Sequence, residues 1–119
     1  RQRQMCIRDS ANGDSNPATS GILTMCPASD NPYVPEIIGD SKRLSQLVLD
    51  QMLKSTGAKN KGIIETNKMS GINWCKIPVT IIEMGFMSNP EEDRLMQTED
   101  YQDKLVEGIS DGVDRYFEI

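Results

Sequence analysis

The segment from Ile77 to Glu92 constrains the fold of this chain more than any other. Pro78 opens it, and the four residues Val79–Ile82 then combine β-branched side chains with nearly continuous apolarity. Such a run is typical of a strand that is covered on both faces of a parallel sheet. The sequence next becomes polar and favours a helix, so we expect a strand, a turn and a helix in that order.

The start of that helix carries several recognisable signals. Ser88 and Glu91 have the spacing of a capping box, and Pro90 suits the first helical position. Acidic residues in the first turn favour the positive end of the helix dipole. We therefore interpret Glu91, Glu92 and Asp93 as capping and solvated charges with no chemical role.

Glu83 stands at the predicted carboxyl end of the strand. In open α/β sheets, ligands bind beyond the carboxyl ends of the strands. A carboxylate flanked there by the apolar residues Ile82 and Met84 is suited to general acid–base catalysis. The residues alone leave a second interpretation open, in which Glu83 is structural and accepts backbone N–H groups in the turn at Gly85.

Composition excludes several classes of function. The 119 residues carry 13 Lys and Arg against 18 Asp and Glu, a net charge of −5, whereas nucleic-acid binding needs a basic surface. No apolar run approaches the ~18 residues that a membrane-spanning helix requires. Histidine is absent, which removes a catalytic triad and the usual nitrogen ligands of a catalytic zinc. Cys6, Cys26 and Cys75 form no Cys-x-x-Cys pair, and we expect buried or unpaired thiols.

Hydrophobic periodicity places the remaining elements. Gly21–Cys26 and Ile63–Thr66 are predicted strands, and Trp74 is expected to pack against the fold, with a sugar platform as the alternative. One helix starts with Asp40 or Ser41 as its cap, ends at Gly57, and has an apolar stripe of Leu44, Leu47, Val48, Met52 and Leu53. Thr98 caps the last helix, whose stripe comprises Leu105, Val106, Ile109, Val113 and Phe117.

Residues 1–10 differ from the rest of the chain because they show no clear period and do not lead into the loop that follows. They resemble the translation of a sequencing adapter. We therefore predict a non-native leader over residues 1–10 and a single domain over residues 11–119. A short native N-terminal arm is the alternative.

The order Ile-Glu-Met-Gly-Phe-Met-Ser-Asn-Pro-Glu-Glu, at residues 82–92, resembles a signature of the zinc-dependent N-acetylmuramoyl-L-alanine amidases of the amidase-3 type. These cell-wall hydrolases cleave the amide between N-acetylmuramic acid and the L-alanine of the stem peptide. The resemblance implies that Glu83 is the catalytic carboxylate. It also implies an α/β three-layer sandwich with a mostly parallel central sheet flanked by helices, and with the N-terminal strands of the family missing.

The same resemblance bears on the metal. In the family, a strand ending Ser-Ile-His comes directly before an Ala-Asn pair, and its histidine binds Zn²⁺. Here Ala11-Asn12 is present, but Arg8-Asp9-Ser10 stands in place of that strand. The two earlier ligands of the family, a histidine and a glutamate, would precede Arg1. We therefore expect a C-terminal part of the domain that binds no zinc and is inactive, with Asn12 as a weak candidate for shaping the substrate groove.

The resemblance finally implies a partner and a location. The partner is peptidoglycan, as expected for an autolysin engaged in peptidoglycan catabolism, and the full-length protein is expected to work outside the cytoplasm. The absence of histidine leaves a different class open, a non-catalytic module that binds or regulates the cell wall. An unrelated hydrolase without metal has no histidine to serve a nucleophile, which argues against it.

Overall fold

The computed structural model describes residues 4–118, which form a four-stranded sheet flanked by helices. The strands are β1 (Cys6–Asn12), β2 (Ile22–Pro27), β3 (Asn60–Thr66) and β4 (Val79–Phe86). The α-helices are α1 (Ile38–Thr56), α2 (Ser70–Asn73), α3 (Pro90–Met96) and α4 (Glu99–Phe117), and a 3₁₀ turn (Pro35–Ile37) precedes α1.

The sheet is mixed, with the strand order β1-β4-β2-β3. The pairs β1–β4 and β2–β3 are parallel, whereas the central pair β2–β4 is antiparallel. A parallel return needs a crossover that runs back along the sheet. The link from β3 to β4 contains only the four-residue helix α2, so β4 starts at the end of the sheet where β3 finishes. The predicted α/β fold is therefore confirmed, with one antiparallel contact at its centre.

One face of the sheet is covered by α1 and α4, which also pack against each other. The predicted stripe of α1 is confirmed, because Leu44, Val48 and Met52 are buried and Leu47 and Leu53 pack beside them. The core on this face is completed by buried residues from the sheet and from both helices: Ile22, Leu49, Ile82, Tyr101, Leu105 and Tyr116.

The stripe predicted for α4 is wrong in part. Leu105 is buried, but Val106 is 64% exposed. The buried face instead contains Gly108 and Gly112, which bring the backbones of α4 and α1 close together. Sequence periodicity missed this face because glycine carries no apolar side chain to reveal it.

The second face of the sheet is covered by a thinner layer. Val34 and Ile37, from the segment before α1, and Ile72 of α2 pack on the sheet residues Val79 and Ile81. Helices or turns therefore lie on both faces, which confirms the three-layer arrangement. β4 is buried along nearly its whole length, as its apolar run predicts.

The helix ends confirm some of the predicted capping residues and contradict others. Gly57 adopts the left-handed conformation at φ 70° and ends α1, and the Thr98 side chain accepts a hydrogen bond from the Tyr101 N–H at the start of α4, both as predicted. The cap predicted at Asp40 or Ser41 is wrong, because α1 begins earlier, at Ile38. Ser41 Oγ instead accepts the backbone N–H of Val79 at 2.9 Å.

Residues Cys6–Ser10 belong to strand β1, which pairs with β4 and begins where the Cys6 N–H donates to the Pro78 carbonyl at 2.8 Å. The proposed boundary at residue 10 therefore falls inside a strand. The foreign origin predicted for residues 1–10 stays a prediction, and residues 1–3 lie outside the described part of the chain.

Candidate active site

Glu83 lies inside β4, three residues before the strand ends at Phe86. It is therefore not at the very end of the strand, as the apolar run alone suggested. Ser10 of β1 and Leu23 of β2 are its register partners on the two neighbouring strands. Because side chains alternate along a strand, Glu83 shares a face with Val79 and Ile81.

The carboxylate of Glu83 is buried and incompletely satisfied. The residue is 8% exposed, and within residues 4–118 no hydrogen-bond partner reaches its Oε2 atom. A buried acceptor without a donor costs about 1–3 kcal/mol, and more when charged. Such a group in a folded protein calls for an explanation, and a functional role is one of the recognised ones.

The backbone changes geometry directly after Glu83. Between Ser10 and Asn12 on β1 the register advances by two residues, whereas β4 advances by three, from Glu83 to Phe86. β4 therefore contains a bulge, a device that re-aims side chains and is frequent beside active sites. Gly85 lies in this bulge, and a Cβ there would lie 3.2 Å from the Sδ atom of Met96.

Glu92 supports this region from α3, and its assignment as a solvated charge is wrong. The residue is 8% exposed. Its Oε1 accepts the Phe86 N–H at 3.0 Å, and both of its oxygens accept the Gly21 N–H at 3.0 Å. Burial raises the pKa of the Tyr101 hydroxyl, and the charge of Glu92 raises it further. Helical spacing could have revealed this role, because Glu92 stands three and four residues before Leu95 and Met96, which face the core.

The predicted capping box is replaced by a different cap. The side chain of Asn89 accepts the N–H groups of Glu91 and Glu92, while Pro90 occupies the first helical position as expected. Ser88 does not cap α3. Its Oγ instead accepts the backbone N–H of Asp14 at 3.0 Å, which ties the loop after β1 to the loop after β4.

Asn12 closes the same end of β1. Its carbonyl accepts the Met87 N–H at 2.8 Å, and its own Oδ1 accepts the N–H of Gly13 at 2.9 Å. Asn12 pairs with Phe86 and so lies beyond the bulge from Glu83. These contacts describe a turn residue, and a role for Asn12 in shaping a substrate groove stays a prediction.

The side chains around Glu83 do not fit a zinc ion. Catalytic zinc takes three protein ligands, drawn from histidine, cysteine and carboxylate groups. The register partners of Glu83 are Ser10 and Leu23, and across the described range no three His, Cys, Asp or Glu side chains come together. Glu83 offers one unpartnered carboxylate oxygen, which is a single metal ligand where three are needed.

Two further properties bear on function. Cys6, Cys26 and Cys75 are free thiols, as predicted, and burial raises the pKa of Cys26. From residue 4 to residue 118, no helix combines the length and apolarity needed to cross a bilayer.

Comparison with known proteins identifies relatives in both sequence and structure. Residues 4–115 match the family model described as N-acetylmuramoyl-L-alanine amidase. The germination-specific N-acetylmuramoyl-L-alanine amidase of Bacillus subtilis is 32% identical over 81 residues, which cover 66% of this chain and 33% of the relative. The N-acetylmuramoyl-L-alanine amidase of Clostridium difficile superimposes with a TM-score of 0.81 at 29% identity, covering 94% of this chain and 56% of that one.

A further solved relative is the CwlD amidase of Clostridioides difficile, whose structure was determined in complex with the GerS lipoprotein. It superimposes with a TM-score of 0.82 at 25% identity, and the match covers 94% of this chain and 53% of that one. The chain thus spans just over half the length of these solved structures, and a third of the germination-specific relative.

Proposed function

Because this chain belongs to the N-acetylmuramoyl-L-alanine amidase family, we propose that its protein hydrolyses peptidoglycan. The bond cleaved is the amide between the lactyl group of N-acetylmuramic acid and the L-alanine of the stem peptide. The observation that carries this proposal is Glu83, a buried carboxylate in the central strand β4 whose Oε2 has no partner among residues 4–118.

Glu83 serves as the proton carrier of this reaction. Its carboxylate takes a proton from the attacking water, whose oxygen bonds to the amide carbon. When the carbon–nitrogen bond breaks, the same proton passes to the departing nitrogen of L-alanine. The products are a free lactyl carboxylate on the sugar and a free α-amino group on the peptide, and Glu83 returns to its starting state.

Neighbouring residues hold Glu83 in place for this role. Ser10 and Leu23 flank it on the adjacent strands. Glu92 holds the end of β4 at Phe86 and joins it to the start of β2 at Gly21. A catalytic group fixed on a strand and supported by a second layer of hydrogen bonds is positioned more precisely than one on a loop.

The zinc of the family requires ligands from outside residues 4–118. The donor set around Glu83 supplies too few groups, and Ser10 stands where the family resemblance places a histidine. This chain alone is therefore proposed to be inactive. Isothermal titration of the chain with Zn²⁺ is expected to show no one-to-one site of micromolar affinity, and such a site would contradict this proposal.

The location of the protein follows from its substrate. Peptidoglycan is assembled outside the cytoplasmic membrane, so the full-length protein is proposed to work extracytoplasmically, as an autolysin in peptidoglycan catabolism.

The reaction class is tested with a chimera in which the metal-binding part of a characterised family amidase is joined ahead of Ala11. Digestion of purified peptidoglycan is expected to release new α-amino groups on L-alanine without new reducing sugar ends. New reducing ends without new L-alanine termini would show a glycosidase and would contradict the proposal.

A further inference from the structure

A cavity of about 670 Å³ lies where the loop after β2 meets α2. Two aromatic side chains line it and remain largely in solvent, Tyr33 at 65% exposure and Trp74 at 85%. The expectation that Trp74 packs into the fold is therefore wrong. Large aromatic groups exposed together around a concave surface are a feature of binding sites rather than of ordinary surface.

The walls of this cavity are held by a chain of side-chain amides. Asn31 Nδ2 donates to Asn73 Oδ1 at 2.9 Å, and Asn73 Nδ2 donates to the Asn67 carbonyl at 2.6 Å. Asn31 Oδ1 in turn accepts the backbone N–H of Tyr33 at 2.8 Å. The loop that carries Tyr33 is thus fastened to the helix that precedes Trp74, and the backbone segments that carry the two rings are held together before any ligand arrives.

The charge of the cavity is opposite to that of the whole chain. Lys68 and Lys76 line it, against the single acid Glu36, although the chain carries a net charge of −5. Within residues 4–118, neither lysine lies in an ion pair. Asn67 also lines the cavity, and its buried Oδ1 atom has no hydrogen-bond donor in the described part of the chain. The cavity therefore combines aromatic faces with two lysine cations.

We propose that this cavity binds a carboxylate-bearing N-acetyl sugar, namely the N-acetylmuramic acid that remains in the glycan strand after its peptide is removed. The C–H-rich face of a pyranose stacks on aromatic rings, whose faces carry partial negative charge. The lactyl carboxylate pairs with Lys68 or Lys76. This inference rests on the proposed function, because hydrolysis of the lactyl amide creates that carboxylate.

The cavity is separate from Glu83 but lies on the same face of the sheet. Trp74 and Lys76 precede Val79, the first residue of β4, whereas Glu83 is four residues further along. At about 3.3 Å per residue, Val79 and Glu83 lie about 13 Å apart along the strand. Val79 packs with Ile72 of α2 and shares its strand face with Glu83. Buried side chains cover the strand between the two positions, so the cavity is a site of its own and not an extension of the site at Glu83.

The test uses the fluorescence of Trp74, the only tryptophan in the chain. The full chain is titrated with N-acetylmuramic acid and, separately, with N-acetylglucosamine, which lacks the lactyl carboxylate. We expect a saturable change with N-acetylmuramic acid in the millimolar range and binding of N-acetylglucosamine that is weaker by about fivefold. The preference should fall at high salt, because exposed charges are screened.

Variants assign the signal to the cavity. Tyr33→Ala is expected to weaken binding by about fivefold, and Tyr33→Phe to retain it, because the phenyl ring keeps the stacking face. Lys68→Gln with Lys76→Gln should remove the preference for the acidic sugar. Val106→Ala, at a 64% exposed apolar residue on α4, is the matched control and should change nothing. Circular dichroism checks that each variant is folded.

Two results would overturn the site: no saturable change with either sugar, or equal binding by the parent and by a folded Tyr33→Ala variant. The titration requires no hydrolysis, so its outcome is independent of the chimera. A cleaving chimera with no titration contradicts this site alone, and a titrating chain whose chimera does not cleave contradicts the proposed function alone.

Discussion

The carboxylate of Glu92 receives the backbone N–H of Gly21 on both of its oxygens, at 3.0 Å each. The same carboxylate also accepts the N–H of Phe86. One side chain of α3 therefore joins Gly21, directly before β2, to Phe86, the last residue of β4. The strand that carries Glu83 is therefore tied at its end, Phe86, to the residue that precedes its neighbour β2.

Replacing Glu92 should destabilise the fold. Glu92→Ala leaves the Gly21 and Phe86 N–H groups without an acceptor, and we expect a loss of about 2–4 kcal/mol in the free energy of unfolding. Urea denaturation followed by circular dichroism measures it. Glu91→Ala is the matched control, since Glu91 is exposed and pairs only with Arg94 in the described structure, and its effect should stay within about 0.5 kcal/mol. Equal losses of stability in the two variants would contradict a stabilising role for the hydrogen bonds of Glu92.

The contact between α1 and α4 depends on glycines that have no side chain to accommodate. A Cβ at Gly112 would lie 2.5 Å from the Cα of Val48, and one at Gly108 would lie 2.5 Å from the Cα of Met52. Gly112→Ala should therefore destabilise the protein by about 1–3 kcal/mol through overpacking, although alanine favours helices by about 1 kcal/mol.

Gly39, in the first turn of α1, is the control for this prediction, because nothing lies within 4 Å of the position that a Cβ would take there. Gly39→Ala should leave the melting temperature unchanged or raise it. A stabilising Gly112→Ala variant would show that the two helices do not approach as closely as described.

Stability should fall at alkaline pH. Burial raises the pKa of the Cys26 thiol above its ordinary value of 9.0 and that of the Tyr101 hydroxyl above 10.0. Between the unfolded and folded pKa of each group, the folded state holds a proton that the unfolded state has lost. The stabilisation is therefore complete below pH 9 and declines as the pH rises through these values.

Denaturation midpoints measured from pH 7 to pH 11 check this dependence. Tyr101→Phe should flatten the decline above pH 10, and Cys26→Ala should flatten it from pH 9, each relative to its own stability at pH 7. A decline of unchanged slope in both variants would assign the effect to other groups.

Much of the architecture could be predicted from local patterns. The apolar run at Val79–Ile82 identified the central strand, and Gly57 and Thr98 marked helix ends that the structure confirms. These signals are local, because β-branched side chains, a left-handed glycine and a capping hydroxyl act within a few residues.

The predictions were wrong at residues whose role is determined by contacts with segments that are distant in the chain. Ser41 and Ser88 are good caps by residue type, but each accepts a backbone N–H from a distant segment, at Val79 and at Asp14. The antiparallel placement of β4 follows from a short connection rather than from its own sequence. The prediction for Glu92 was wrong because the run of acids at the helix start was interpreted as capping charge, although the spacing of Glu92 to Leu95 and Met96 places it on the core-facing side of α3.

In the candidate sites, too, local features were predicted and features that depend on distant contacts were not. Glu83 was selected from its strand and its signature, and the structure shows its burial and its unpartnered oxygen among residues 4–118. The exposure of Trp74 could not be predicted, because a tryptophan that packs and one that stands in solvent look alike in a sequence. The cavity beside it depends on amide contacts between Asn31, Asn67 and Asn73, which are far apart in the chain.

The most direct test of the account is the rate of peptidoglycan cleavage by the chimera with and without the Glu83 carboxylate. Glu83→Gln keeps the size of the side chain and removes the proton carrier, so the rate of new L-alanine termini should fall by about 10²–10⁴-fold. Glu91→Gln, at an exposed glutamate on α3, should cleave at the parent rate. A Glu83→Gln chimera that is folded and cleaves within about twofold of the parent would contradict the assignment of Glu83 as the catalytic carboxylate.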